Sequence, residues 1–197
     1  VCRDNLVDED YGNWCLQWIT QIARVLKDRH YCVIFTGDKK LYFVLKAIMN
    51  SPLTYHHMIK WHKPTCQGAL SGSVFFNRTE LAFLCSKGKP DTKLINRKVM
   101  YQDTLTYLNT HRKQKDAVDH NARRPIGLYS QLIKGFTKMG DVVLDPFLGS
   151  GTTAIAAEGC YRSWMGIEID KDYVDIANKR ILETKRERSS YVLDSVI

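Results

Sequence analysis

The residues best equipped for chemistry stand in one stretch, DVVLDPFLGSGTTAIAAEGCYRSWMGIEID at 141–170. Two carboxylates, Asp145 and Glu168, each close a short apolar run that reads as a buried parallel strand. Between them Pro146, Phe147, Leu148, Gly149, Ser150 and Gly151 make a turn, and Thr152 opens a helix. Gly149 and Gly151 lack a Cβ, so the backbone can turn sharply and a ligand can approach it closely. Ser150 and Thr152 are placed to cap the helix, whose free N–H groups point into the same crevice. Glu168 follows Asp145 by 23 residues, close to the roughly 20 expected of an acid that grips ribose hydroxyls. The turn reads GSGTT rather than GxGxxG, and it lacks the Lys of a phosphate-cradling loop. The expected ligand is therefore a nucleoside with little phosphate, with Asp145 suited to a cationic group on it. The competing reading is an ordinary βαβ unit whose glycines serve packing.

Several elements must position this stretch. Apolar residues from Trp14 to Leu26 predict a helix that packs on a sheet, with residues 1–13 as an acidic loop before it. The continuous run at 31–36 predicts a buried parallel strand. A helix follows at 41–49, stopped by Asn50-Ser51-Pro52. Residues 55–61 and 79–85 read as two further strands. Residues 120–138 read as an entry helix with Pro125 in its first turn. A last helix runs from Lys171 to about Arg188, where Lys185, Arg186 and Arg188 suit its C-terminal end. The tail YVLDSVI is expected to add a short edge strand. No internal repeat or low-complexity linker breaks the chain.

The length of 197 residues suits one domain with a large core. A hydrophobic content of 44% beside 25% charged residues excludes a disordered chain. No run reaches the ~20 apolar residues of a membrane span, and no signal-peptide pattern opens the chain. The six cysteines form no CxxC pair, so no metal site is expected and a reducing cytoplasm is the expected compartment. A net charge of +8 favours a polyanionic partner. Over half of it sits in residues 86–118, where eight basic residues face three acidic ones, with Tyr101 and Tyr107 interleaved. Lys87, Lys89, Arg97, Lys98, Arg112, Lys113 and Lys115 are candidate phosphate contacts, which supply affinity rather than sequence choice. A solvated surface excursion is the bland alternative.

DPFLGSGTT followed by GIEID closely resembles the S-adenosylmethionine-binding motifs of the DNA amino-methyltransferases, the N6-adenine/N4-cytosine family. HNARRP at 120–125 resembles the family's H-x-x-x-[KR]-P segment, and the three blocks occur in the family's order. HMIKWHKP and NRTELAFLCSKG resemble its W-x-K and R-x-E-x-x-x-x-x-[SK]-x-G stretches, which adds Lys63 to the candidate DNA contacts. The resemblance implies an α/β Rossmann-like methyltransferase fold. It is a mostly parallel sheet with an antiparallel edge hairpin, in circularly permuted motif order. One methyltransferase domain would comprise a catalytic-half remnant and hairpin at 1–85, a target-recognition insertion at 86–118 and a cofactor half at 119–197. Glu168 would bind the ribose hydroxyls, and Asp145 and the turn the methionine end. His120 and Arg124 would close that end, and Ile169 and Asp170 would lie toward the adenine. Trp61 or Phe75 and Phe76 would stack on an extruded base, or else pack the sheet.

The family's catalytic motif, [DNS]-P-P-[YFW], has no counterpart, because no Pro-Pro pair occurs in the chain. Catalytic residues are therefore not assigned, and the motif is expected upstream of Val1. The implied activity is methyl transfer to an exocyclic amino group in duplex DNA, N6 of adenine ahead of N4 of cytosine. The setting would be a prokaryotic or phage-type restriction-modification system. The short recognition segment suits a brief target sequence or a homodimer. The alternatives are a non-catalytic nucleic-acid-binding or partner subunit that retains the cofactor fold, and an RNA methyltransferase.

Overall fold

Helix α1 (Asp8–Val25) begins well before Trp14, because Asp8, Glu9 and Asp10 fill its first turn, where carboxylates complement the helix dipole. The stripe that it buries starts at Tyr11 and continues through Cys15, Ile19 and Ala23, four residues apart on one face. The structure, a computed structural model, describes residues 7–64, 78–108 and 124–194. It divides into two compact units, Cys2–Leu108 and Asn109–Ile197.

In the first unit, β1 (Tyr31–Thr36), β2 (Leu53–His62), β3 (Thr79–Lys87) and β4 (Thr104–Thr106) form one sheet in the order β1-β3-β2-β4. The apolar run of β1 predicts a parallel strand, but β1 pairs antiparallel with β3, with Tyr31 opposite Ser86 and Thr36 opposite Leu81. An unbroken apolar run reports burial and carries no information about the direction of the neighbouring strand. The expected hairpin is present, β2 running antiparallel to β3. A bulge between Tyr55 and His57 skips His56, whose Nε2 lies 2.7 Å from the Ser86 hydroxyl. β4 then returns parallel to β2, with Leu105 opposite Trp61. Helices α1 and α2 (Leu41–Met49) cover this sheet. Val44, Ala47 and Ile48 join the α1 stripe over Ile34, Leu53, Phe83 and Cys85.

In the second unit, α3 (Ile126–Phe136) precedes β5 (Val142–Asp145), α4 (Thr152–Gly159), β6 (Ser163–Gly166) and α5 (Lys171–Asp194). β5 and β6 are parallel, with Asp145 opposite Gly166. One face carries Val143 and Trp164 into a core with Ile133, Ala156, Ala157 and Cys160. The other face is open: Val142 is 54% and Met165 62% exposed. The buried strand expected at 142–145 is thus covered on one side only among the described residues. The described part of the tail, Tyr191 to Asp194, continues α5 rather than forming an edge strand, and the rest of it lies outside the described residues. No Gly or Pro interrupts residues 171–194, so nothing in the sequence stops the helix. Lys185 lies inside α5 rather than at its end, and it pairs with Glu158 at 2.9 Å.

Candidate cofactor site

Beyond Asp145 the chain leaves β5 through a turn closed by the Gly151 amide donating to the Leu148 carbonyl, 3.0 Å. Gly149 and Gly151 have φ of +52° and +83°, the left-handed region that disfavours any side chain. The turn is pinned to the continuation of β6. Ile167 donates to the Asp145 carbonyl at 3.0 Å, and Leu148 donates to the Ile167 carbonyl at 2.9 Å. Gly166 leaves the space that Leu148 fills: a Cβ there would lie 2.5 Å from Leu148 Cδ2.

The two carboxylates hold this backbone. Asp145 Oδ1 accepts from the Phe147 amide at 3.0 Å, and Oδ2 accepts from the Thr153 hydroxyl. Glu168 Oε2 accepts from the Gly149 amide at 2.7 Å, while Oε1 accepts from the amides of Ile169 and Asp170 at 2.9 and 3.0 Å. An ionised carboxylate offers about four lone-pair sites, so each keeps capacity for a ligand. Pro146 opens the turn, and Phe147 and Ile169 beside it are 52% and 84% exposed. Asp170 caps α5, its Oδ1 accepting from the Asp172 amide at 2.9 Å.

The expected side-chain caps on α4 do not form. Gly151 takes the N-cap position and makes no side-chain cap bond. The Thr153 hydroxyl is spent on Asp145, and Ser150 bonds Arg180 of α5 instead. Thr152 itself is buried. Arg180, which the sequence did not single out, donates from Nη1 to both the carbonyl and the hydroxyl of Ser150. Arg124 is half-buried ahead of Pro125, and Pro125 is the N-cap of α3 rather than a first-turn residue. His120 lies outside the described residues. Adjacent strand ends bearing two acids, with a bare backbone turn between them, suit a ligand with hydroxyls and a positive charge.

The basic candidates divide. Lys89, Arg97 and Lys98 are exposed. Lys87 pairs with Asp28 at 3.2 Å and donates to the Leu26 carbonyl. Lys63 is largely buried, pairs with Glu80 at 2.8 Å and lies 5.0 Å over the Trp61 ring. Trp61 is itself 2% exposed and donates from Nε1 to the Tyr107 carbonyl at 3.0 Å, so it packs the sheet rather than offering a stacking face. Arg112, Lys113, Lys115, Phe75 and Phe76 lie outside the described residues. Among the described residues no group of three His, Cys, Asp or Glu side chains is placed to share a metal ion. No described helix is long and apolar enough to cross a membrane.

A parallel strand pair joined through a glycine turn and a helix, with one acid closing the first strand and another just beyond the second, defines a Rossmann-like nucleotide-cofactor unit. The N6_N4_Mtase family model, described as DNA methylase, matches residues 3–179. The chain is 26% identical over 194 residues to the type II methyltransferase M.HinfI of Haemophilus influenzae, covering 89% of this chain and 53% of that protein. It is 31% identical over 180 residues to the type II methyltransferase M2.DpnII of Streptococcus pneumoniae, covering 87% and 67%. Among solved structures, the M1.HpyAVI–SAM complex superposes with a TM-score of 0.77 at 25% identity, covering 87% of this chain and 84% of that one. The PvuII cytosine-N4-specific DNA methyltransferase shares the fold, with a TM-score of 0.78 at 20% identity over 91% and 77% of the two chains. The chain belongs to the N6/N4 DNA methylase family and has its Rossmann-like methyltransferase fold. It spans between about half and two thirds of the length of these two curated relatives.

Proposed function

We propose that the protein transfers a methyl group from S-adenosylmethionine to an exocyclic amino group in duplex DNA, N6 of adenine ahead of N4 of cytosine. One observation carries the reading: Asp145 at the end of β5 and Glu168 just beyond the end of β6 frame a turn with two left-handed glycines. S-adenosylmethionine matches that set, with ribose hydroxyls for Glu168 and a cationic methionine end for Asp145. The turn residues Leu148, Gly149, Ser150, Gly151 and Thr152 would line the methionine end, and His120 and Arg124 would close it. Ile169 and Asp170 would flank the adenine. The cofactor supplies the activated methyl group on its sulfonium, and the protein's share is to hold the amine lone pair in line with it.

DNA would be held by Lys89, Arg97 and Lys98, whose side chains are exposed, together with Arg112, Lys113 and Lys115. Lys87 and Lys63 would need to leave their acidic partners to join them.

Calorimetric titration with S-adenosylmethionine is the test, followed by methyl transfer to duplex DNA with the product nucleoside identified. The expected result is binding tighter than ~1 mM that weakens in Glu168→Ala, and a labelled N6-methyladenine product. No binding, or equal binding by the Glu168→Ala variant, would sink the reading. N4-methylcytosine as the product would correct the base and leave the rest standing.

A further inference from the structure

The geometry points to Arg180 as a positioning residue that fixes Ser150 for the carboxylate end of the cofactor, an inference that rests on the S-adenosylmethionine reading. The turn at 148–151 is costly to order. Its two glycines occupy left-handed conformations, and glycine loses more backbone freedom on ordering than any other residue. One bond within the turn, from the Gly151 amide to the Leu148 carbonyl, closes it, while Ile167 and Glu168 hold the Leu148 and Gly149 amides.

Helix α5 adds a constraint on the Ser150–Gly151 end at two successive points. Ala177 lies so near Gly151 that a Cβ there would sit 3.0 Å from the alanine Cβ and 3.2 Å from its Cα. Arg180, three residues further on and so on the same helix face, reaches Ser150. Its Nη1 donates to the Ser150 carbonyl and, at 2.9 Å, to the Ser150 hydroxyl oxygen. Both contacts come from one nitrogen.

The chemical consequence lies in the hydroxyl. A serine hydroxyl has one proton and two lone pairs. With a lone pair engaged by Arg180, the Ser150 O–H remains available as a donor, and the guanidinium charge behind it favours an anionic acceptor. The carboxylate of the methionine moiety is the anionic group of S-adenosylmethionine. Arg180 thus acts through Ser150, and its effect is specific to ligands that carry that carboxylate.

The test compares two ligands, S-adenosylmethionine and 5′-deoxy-5′-methylthioadenosine, which lacks the amino-acid end. Their affinities are measured on the full chain as wild type, Arg180→Met and Arg180→Lys, each with its thermal midpoint. Arg180→Met is expected to weaken S-adenosylmethionine by about tenfold or more, the scale of a hydrogen bond to a charged group, and the thioadenosine by much less. Arg180→Lys should restore most of the loss, since a single ammonium can serve both oxygens. Equal loss for the two ligands, or no loss for either, overturns the inference. If Arg180→Met does not fold, Arg180→Gln takes its place: a loss of S-adenosylmethionine larger than that of the thioadenosine supports the inference, and equal loss or none overturns it. A wild type that binds neither ligand refutes the cofactor reading itself, which separates the two failures.

Discussion

The glycine turn and the basic segment before it treat their polar groups in opposite ways. Asp145 and Glu168 together accept five hydrogen bonds from their own neighbourhood, four of them from backbone amides of the loops that they organise. Lys89, Arg97 and Lys98 stand exposed on a connection whose short elements, among the described residues, are one 3-10 turn (Thr92–Leu94) and the three-residue β4. The first arrangement fixes atoms to the precision that recognition of one small molecule requires. The second supplies a field, which suits a repetitive polyanion and tolerates movement. Order and charge density are thus separate resources in this chain.

Glycine substitution should expose the contrast most sharply. Gly151 and Gly88 both have positive φ, +83° and +65°. A side chain at Gly151 meets the backbone of Ala177, whereas nothing lies within 4 Å of a Cβ at Gly88. Each alanine incurs the left-handed penalty of about 1–2 kcal/mol. Gly151→Ala adds a tight contact with Cβ and Cα of Ala177, at 3.0 and 3.2 Å, for a total of about 2–3 kcal/mol and weakened S-adenosylmethionine binding. Gly88→Ala should keep cofactor binding unchanged. Urea unfolding of the two variants, with titration of each, checks this. Equal destabilisation would mean that the turn is no more constrained than an ordinary loop.

Legibility in the sequence follows the same division. The turn is readable because its chemistry is local: glycines, acids and strand ends sit within thirty residues at fixed offsets. The ranges of β1 and α2 are readable from apolar runs and a Pro stop. What escapes depends on tertiary neighbours. Arg180 meets Ser150 across thirty residues, and an Arg on a polar helix gives no sign of which loop it will reach. Lys63 reads as a candidate DNA contact, and Trp61 as either a base-stacking or a sheet-packing ring, until β3 brings Glu80 beside Lys63 and the chain after β4 brings the Tyr107 carbonyl to Trp61. The antiparallel sense of β1 likewise depends on β3, some fifty residues later. Even the start of α1 is hidden, since its acidic first turn looks like a loop until Tyr11 is seen to extend the buried stripe.

The basic segment should respond to salt rather than to shape. Neutralising Lys89, Arg97 and Lys98 to Gln is expected to lower affinity for duplex DNA and to flatten its salt dependence. The slope of log K against log salt should fall by roughly 0.9 for each phosphate that is no longer neutralised. S-adenosylmethionine affinity should not change. Lys63→Gln makes the opposing control: it breaks a largely buried pair with Glu80, so its first effect should be on the unfolding midpoint. Fluorescence anisotropy across a salt series reads the slopes. An unchanged slope in the triple variant would remove these residues from the DNA face.

The smallest effect expected concerns Asp103, an acid of the basic segment whose carboxylate is committed to its own neighbourhood. Lys60 donates to its carboxylate at 2.9 Å, and its carbonyl accepts from the Lys60 amide, so it anchors the entry to β4 through side chain and backbone together. The hydrogen bond from Lys60 is the main cause holding its carboxyl below the ordinary carboxylate range. The Thr104 hydroxyl bond reinforces it, and the attraction of Lys60 and His57 adds to both against the rise from desolvation. A depressed folded value means that the unfolded chain binds the proton more readily. The pair's contribution is therefore present above the unfolded value near pH ~4 and is lost as pH falls through the folded one. Asp103→Asn should remove that segment of the acid-side decline in thermal midpoint. The change should be modest, because a solvent-exposed ion pair contributes little. The backbone bond between Asp103 and Lys60 survives the substitution and keeps β4 in register. A variant with the same acid-side slope as wild type would show that β4 is held by its backbone ladder alone, with the carboxylate no more committed than the lysines around it.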